Sequence, residues 1–526
     1  MQNKQGISRR NFLRTAAAGA AIPVATGLNA KTGDSKAPGS GPSEGLEDKP
    51  NILIIMTDQH RADLMTCAGN DLVPTPNMDR IASRGIRFSN AYCPYPVCVA
   101  SRMSMLSGLY AHSTGVDTNE DRLDWRYRTF ANHFSGQGYL TGLIGKMHFL
   151  DAHNHGFEYY MSINDWLMYL GPKVQHYANE IASHPHNQWF FRSVFDTGAG
   201  FPDTEELWDG PSPWVGNVKR SDFSSMASRL EPEDHLDMFI ARESAKFLHR
   251  YKEQPFLLVT SFMKPHTPFF PPKEWADKYP IDKMDLRQVN DYSTYPPFIQ
   301  ERIKRQLKVD ERQRKAGRAG YLGNLAFVDT CVGYVYDAME REGLLDNTIV
   351  IYTSDHGEMD GTHGLWQKFC QFQPAVKVPL IVSYPKSIPQ NKVTEALTEY
   401  NGIYPTLVEL TGVESPDSTT LVNVPGAPEK MDAKSFAEVL MDPESEGPPA
   451  VFSEYALKSD VPRYMIRTKQ YKYHYNKNST HELYDLQNDP DENTNLINKP
   501  AYQNIARELK EELFAWYDPE KNTIKK

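Results

Sequence analysis

A mostly parallel α/β sheet sandwiched by helices, followed by a small antiparallel sheet with a covering helix, is the fold this sequence predicts. Three observations carry that expectation. Four short apolar runs with little alternation each deliver polar residues at their carboxyl ends, as strands buried on both faces do. Between and before them, apolar residues recur at helical spacing: Leu236, Ile240, Phe247 and Tyr251, then Leu325, Val328, Val332, Val335 and Met339. The tail then changes character and alternates, in Tyr464-Met465-Ile466-Arg467 and Tyr471-Lys472-Tyr473-His474-Tyr475, before a helical run from Tyr502 to Trp516.

Residues 1–30 come first. Ser8-Arg9-Arg10-Asn11-Phe12-Leu13-Arg14 precedes a weakly apolar run through Ala25 and then Leu28-Asn29-Ala30, which reads as a twin-arginine export signal. Export to the periplasm or beyond is the expectation. The apolar run falls short of the roughly 20 strongly apolar residues a span requires, so no membrane span is predicted. No cysteine lies in or just after the signal to carry a lipid. Residues 31–48, rich in Gly, Ser and Pro, are expected to be a disordered linker, and a catalytic domain is expected over 49–445.

The first buried strand is predicted at Asn51 to Met56, ending in Thr57-Asp58-Gln59-His60. Leu140 to Ile144 leads into Gly145-Lys146-Met147-His148, and Phe256 to Thr260 into Ser261-Phe262-Met263-Lys264-Pro265-His266. Thr348 to Thr353 leads into Ser354-Asp355-His356-Gly357-Glu358. Open α/β sheets bind ligands at that carboxyl edge. Residues 151–232 interrupt the pattern with Trp189-Phe190-Phe191 and Trp208 to Trp214, and an irregular insertion of that length is expected to select substrate by ring stacking. A Pro/Gly/Asp-rich stretch over 415–449 marks the boundary of a C-terminal subdomain, 446–526.

The formal net charge of −10 disfavours a polyanionic partner, so nucleic acid is not expected; an anionic substrate would need its cations gathered in one pocket. Five cysteines, Cys67, Cys93, Cys98, Cys331 and Cys370, form neither a disulfide framework nor a zinc spacing, and their pairing stays open. Cys331 falls on a helical apolar face and is expected in the core.

Cys98-Val99-Ala100-Ser101-Arg102, with Leu106-Ser107-Gly108 behind it, suggests a loop entering a helix with Cys98 near its N-terminus, where anions are favoured. This pentapeptide resembles the Cys-x-(Pro or Ala)-x-Arg signature of the type I sulfatases, of the alkaline phosphatase-like superfamily. Leu483-Tyr484-Asp485-Leu486, running to Asp489-Pro490, resembles the C-terminal subdomain of the same family, and the layout broadly resembles its iduronate-2-sulfatase-like branch.

The resemblance implies that Cys98 is oxidised to formylglycine (3-oxoalanine) by a formylglycine-generating or sulfatase-maturating enzyme. It implies one divalent cation, usually Ca2+, held by Asp58, Gln59, Asp355, His356 and the modified Cys98. Gln59 and His356 stand where many members carry aspartate and asparagine, which lowers the ligand charge and makes one ligand nitrogen. Arg102, Lys146, His148, His266 and Lys368 match catalytic positions, Lys368 within His363-Gly364-Leu365-Trp366-Gln367-Lys368; His363 is expected only to shape that loop. Arg102 is expected to orient the hydrate of the modified Cys98. The implied activity is removal of sulfate from a sulfated carbohydrate, either glycosaminoglycan fragments or an algal polysaccharide such as ulvan. A phosphonate or phosphate ester substrate, or a glycan-binding protein with unmodified Cys98, are the alternatives.

Overall fold

In this computed structural model the structure describes residues 49–173, 225 and 227–522. The expected signal and linker, and the aromatic residues Trp189 to Trp214 of the insertion, lie outside them. Eight strands form the main sheet: β1 Asn51–Asp58, β2 Gly85–Tyr92, β3 Leu140–Gly145, β4 Tyr159–Met161, β5 Phe256–Pro265, β6 Thr348–Ser354, β7 Leu380–Ser383 and β8 Lys392–Glu399. Their order is β4-β3-β5-β1-β6-β7-β2-β8, with β1 near the middle. Only β7 runs against its neighbours β6 and β2; the other adjacent pairs are parallel.

Parallel strands need long crossovers, and helices supply them on both faces. The alternation of β1 shows how the layers divide. Ile52, Ile54 and Met56 join the core that contains Val99, Met103 and Leu106 of the helix Cys98–Ser107. Leu53 and Ile55 point the other way, into a core built with the helices Leu236–Tyr251 and Glu311–Arg341, where Cys331 is fully buried as expected. Each of these β1 side chains is 0% exposed, and full burial of an aliphatic side chain contributes about 1.5–3 kcal/mol.

Strands β9 Ala450–Tyr455, β10 Arg463–Thr468, β11 Tyr471–Asn476 and β12 Glu482–Asp485 make the second sheet, antiparallel throughout and covered by the helix Gln503–Trp516. Val451, Ile466 and Leu513 belong to the same apolar cluster as Ile52, so the two sheets share one core. All five cysteines are free thiols. Among the described residues no helix is long and apolar enough to cross a membrane.

Candidate active site

Strands β1, β3, β5 and β6 are adjacent and parallel, so the polar residues that follow each of them meet at one edge. The helix Cys98–Ser107 arrives at the same edge from β2. It opens at Cys98 and closes on Gly108, whose φ of 69° ends it in the left-handed conformation that glycine adopts without strain. All ten of its residues are buried, and the Val99 amide behind Cys98 donates to Asn119 Oδ1 at 3.2 Å. Gln59, His148, Gln367 and Phe369 all have positive φ, between 62° and 71°; such strain gathers at sites where the surrounding structure holds it in place.

Asp58, Cys98, Asp355 and His356 present one ligand atom each within 4.8 Å of one another, all from buried residues. Arg102 arranges two of them. Its Nη2 donates to Asp58 Oδ2 at 2.9 Å and its Nε to Asp355 Oδ2 at 2.8 Å, so each carboxylate has one oxygen occupied by the guanidinium. The other oxygen of each turns to the common centre: Asp58 Oδ1 lies 3.8 Å and Asp355 Oδ1 3.7 Å from His356 Nε2. His356 Nδ1 donates to the Gly357 carbonyl at 3.0 Å, which turns Nε2 toward the common centre. Two carboxylates, one imidazole and the Gln59 amide make an oxygen-dominated set that suits a hard divalent cation.

The cations surround the same point. Lys146 pairs with Asp58, and Lys368 Nζ donates to Gln59 Oε1 at 2.6 Å and to His266 Nε2 at 3.0 Å. His148 hydrogen-bonds the Cys98 side chain, and Cys98 Sγ lies 3.1 Å from His356 Nε2. Burial raises the Cys98 thiol, but Lys146, Lys368 and His356 outweigh it and hold the group well below its ordinary value. Burial and Cys98 likewise push Asp58 up, and Lys146, His266 and Arg102 win, keeping it far below the carboxylate range. Burial and Lys368 bring His266 down to about 4, so that imidazole is neutral near pH 7. Burial also lowers His148. Lys368 moves the other way: burial opposes its charge, but Cys98, Asp58 and Asp355 raise it above an ordinary lysine. The centre thus sets the neutral imidazoles of His266 and His148 beside a firmly protonated ammonium, while at His356 burial opposes the charge and Asp355 raises the group above its ordinary value.

The structure therefore gathers Asp58, Gln59, Cys98, Arg102, Lys146, His148, His266, Asp355, His356 and Lys368 at one edge. His363 is not among them: its Nδ1 meets the Tyr295 hydroxyl at 3.0 Å and its ring packs on Phe372, so it shapes the loop. Besides the two carboxylates, Arg102 donates to the Lys146 carbonyl at 2.6 Å and Ser261 Oγ at 2.9 Å and touches Met56. Three further residues were missed by sequence reasoning: Ser261, Asn119 and Glu358. Glu358, three residues past Asp355, accepts from Gln59 Nε2 at 2.5 Å, a role that its neighbours in sequence do not announce.

A buried nucleophile position on a helix N-terminus, faced by an acid-rich ligand set and several cations at the carboxyl edge of a parallel sheet, defines a sulfuric ester hydrolase of the alkaline phosphatase-like superfamily. The chain belongs to the sulfatase family, whose profile matches residues 50–413; that of the N-sulphoglucosamine sulphohydrolase C-terminal region matches 361–518. It is 29% identical to an arylsulfatase of Clostridium perfringens, over 86% of this chain and 92% of that one. It is 28% identical to an N-acetylglucosamine-6-O-sulfatase of Bacteroides thetaiotaomicron, over 89% of this chain and 86% of the other. A phosphonate monoester hydrolase from Silicibacter pomeroyi shares the fold, with a TM-score of 0.72 at 21% identity, covering 89% of this chain and 95% of that one.

Proposed function

We propose that this sulfatase removes sulfate from a carbohydrate, using a formylglycine made from Cys98 by a maturating enzyme and one divalent cation, calcium by the chemistry of the donor set. The observation that supports this best is the convergence of Asp58, Cys98, Asp355 and His356 within 4.8 Å, clamped from behind by Arg102. When present, the aldehyde hydrate supplies the nucleophile and the cation draws charge from the sulfate oxygens.

The rest is done by side chains of this chain. Lys146 and Lys368 hold the non-bridging oxygens and offset the charge that grows on them. Lys368, kept protonated by the acids around it, donates toward the departing alcohol oxygen, and neutral His266 receives its hydrogen bond and fixes its direction. His148, neutral and bonded to residue 98, is placed to take the proton whose loss releases sulfate. A serine or thiol in this position has no second hydroxyl on the same carbon and would stay sulfated.

Kinship with an N-acetylglucosamine-6-O-sulfatase favours a carbohydrate substrate. The twin arginines Arg9 and Arg10 favour export to the periplasm or medium, where polymeric sulfated glycans are met. The test is intact-mass measurement of the Cys98 peptide from protein co-produced with a maturating enzyme, together with turnover of an aryl sulfate and, in parallel, an aryl phosphonate. Conversion to the aldehyde lowers the peptide mass, and sulfate release should exceed phosphonate hydrolysis. An unmodified thiol with full turnover would defeat the reading, and a faster phosphonate reaction would transfer the site to that substrate.

A further inference from the structure

Beside the loop that carries Lys368, two arginines approach each other without an acid between them. Arg302 lies on the helix Pro297–Leu307, and Arg463 opens β10. The Arg463 guanidinium sits over the Phe298 ring at 4.0 Å and the Tyr455 ring at 4.9 Å. That of Arg302 lies 5.7 Å from the centre of Phe369, and Lys368 Nζ lies 5.5 Å from the same ring. Phe298, Arg302, Phe369, Tyr455 and Arg463 are all half-buried.

Both guanidinium groups retain unused donors. Arg302 Nη1 and Arg463 Nε are buried and have no hydrogen-bond partner, although buried polar nitrogens are nearly always paired. Among the described residues, neither arginine has an ion-pair partner. Glu482, whose field reaches Arg463, is occupied: His474, Asn476 and Tyr484 all hydrogen-bond its oxygens. Burial, with the charge of Arg302 adding to it, draws Arg463 below its ordinary value. Rings, and for Arg302 a hydrogen bond from Nη2 to the Trp366 carbonyl, fix these side chains in place of acids, so Arg302 Nη1 and Arg463 Nε stay directed and unspent.

We propose that Arg302 and Arg463 form a second anion subsite, which takes a carboxylate or a further sulfate carried by the same carbohydrate whose sulfate ester faces Cys98. The inference deepens the proposed activity and rests on it. An entering anion relieves the repulsion between the two arginines and gains charge-assisted hydrogen bonds from Nη1 and Nε. The preferred substrate is then an oligosaccharide with two anionic groups, not a singly sulfated neutral sugar.

The experiment compares the matured wild-type enzyme with Arg302→Gln, Arg463→Gln and Arg302→Lys on three probes. These are an aryl sulfate, a disulfated disaccharide, and a monosulfated disaccharide containing a uronate. Wild type should favour one of the two doubly charged probes, and each Gln variant should lower its kcat/KM relative to the aryl sulfate about tenfold, mainly through KM. Arg302→Lys should recover part of that ratio, which a merely structural arginine would not show. A loss confined to the disulfated probe identifies the anion as sulfate, and one confined to the uronate identifies a carboxylate. Equal losses on all three probes, or no preference in the wild type, overturns the subsite. Absence of aryl sulfate turnover by the matured wild type would instead overturn the activity on which it rests.

Discussion

Glu358 decides which way the Gln59 amide faces. Its Oε2 accepts from Gln59 Nε2 at 2.5 Å, while Lys368 Nζ donates to Gln59 Oε1 at 2.6 Å. An amide between a carboxylate and an ammonium has one orientation, and it turns the oxygen toward the cation-binding centre. The other oxygen of Glu358 accepts the backbone amides of Asp360 and Gln367, so the same carboxylate also holds the residue before Lys368. Glu358→Gln should therefore weaken binding of the proposed calcium ion about tenfold by titration calorimetry, whereas exchange of the pair, Gln59→Glu with Glu358→Gln, should restore most of it. Arg102 acts on the remaining ligands. Arg102→Met leaves Asp58 and Asp355 buried with like charges facing each other, which should cost about 3–5 kcal/mol in urea unfolding without metal, a loss that added calcium should reduce. Sequence revealed Asp58 and Asp355 because each ends a run of buried apolar residues. It gave no sign of the Glu358–Gln59 bond, whose partners stand 299 positions apart.

Strands were legible in proportion to their burial. β1, β5 and β6 are buried at every position and read as unbroken apolar runs, and β3 nearly so. β2 mixes buried and half-buried residues in Gly-Ile-Arg-Phe-Ser-Asn-Ala-Tyr, and β8 at the sheet's edge exposes Lys392, Val393 and Glu395, so neither carries that signal. The β5 strand also continues past Thr260 to Pro265, because its polar end still pairs beside β1. What the motifs could not show is how the Lys368 loop is anchored. Glu492, beyond β12, reaches back: its Oε2 accepts the Gln373 amide at 2.6 Å, its Oε1 accepts from Lys472 Nζ of β11 at 2.5 Å, and its carbonyl accepts from the Tyr295 hydroxyl at 2.9 Å. Glu492 and Lys472 side chains are both 0% exposed. Glu492→Gln alone should destabilise by about 3–5 kcal/mol, since it strands a buried ammonium, whereas Glu492→Gln with Lys472→Met should cost much less than the two single changes added together. A double-mutant cycle in urea measures that coupling, and additive losses would show that the pair is not a unit.

The two sheets are joined at a seam that holds the half-buried Glu399 and the buried Glu454, and this makes the stability of the whole protein depend on pH. Glu399 ends β8, and its oxygens accept from the Tyr110 hydroxyl at 2.7 Å and from the Phe452 amide of β9 at 2.6 Å. Burial is the dominant influence on its carboxyl, and it raises the group to about 7 despite these hydrogen bonds. The folded state therefore holds a proton that the unfolded chain releases near pH 4.5. Where the folded state binds more protons, stability falls as pH rises. The loss begins at the unfolded value, continues to about 7 and then levels, for a total of about 3 kcal/mol from this one group. His112 adds a loss of the same sign at higher pH: burial opposes its charge, but Glu454, 2.9 Å from Nδ1, raises it, so its contribution fades as pH passes its folded value. Glu399→Gln mimics the protonated carboxyl, with the amide oxygen toward Phe452 and the amide nitrogen toward Tyr110. Its urea midpoint should decline less from pH 5 to 7 than that of the wild type, the remaining decline coming from Glu358 and Asp329, which burial raises to about 7 and about 6. Parallel declines in both proteins would place the proton elsewhere, with Asp329, raised by burial to about 6 on the far side of the main sheet, the first residue to substitute next.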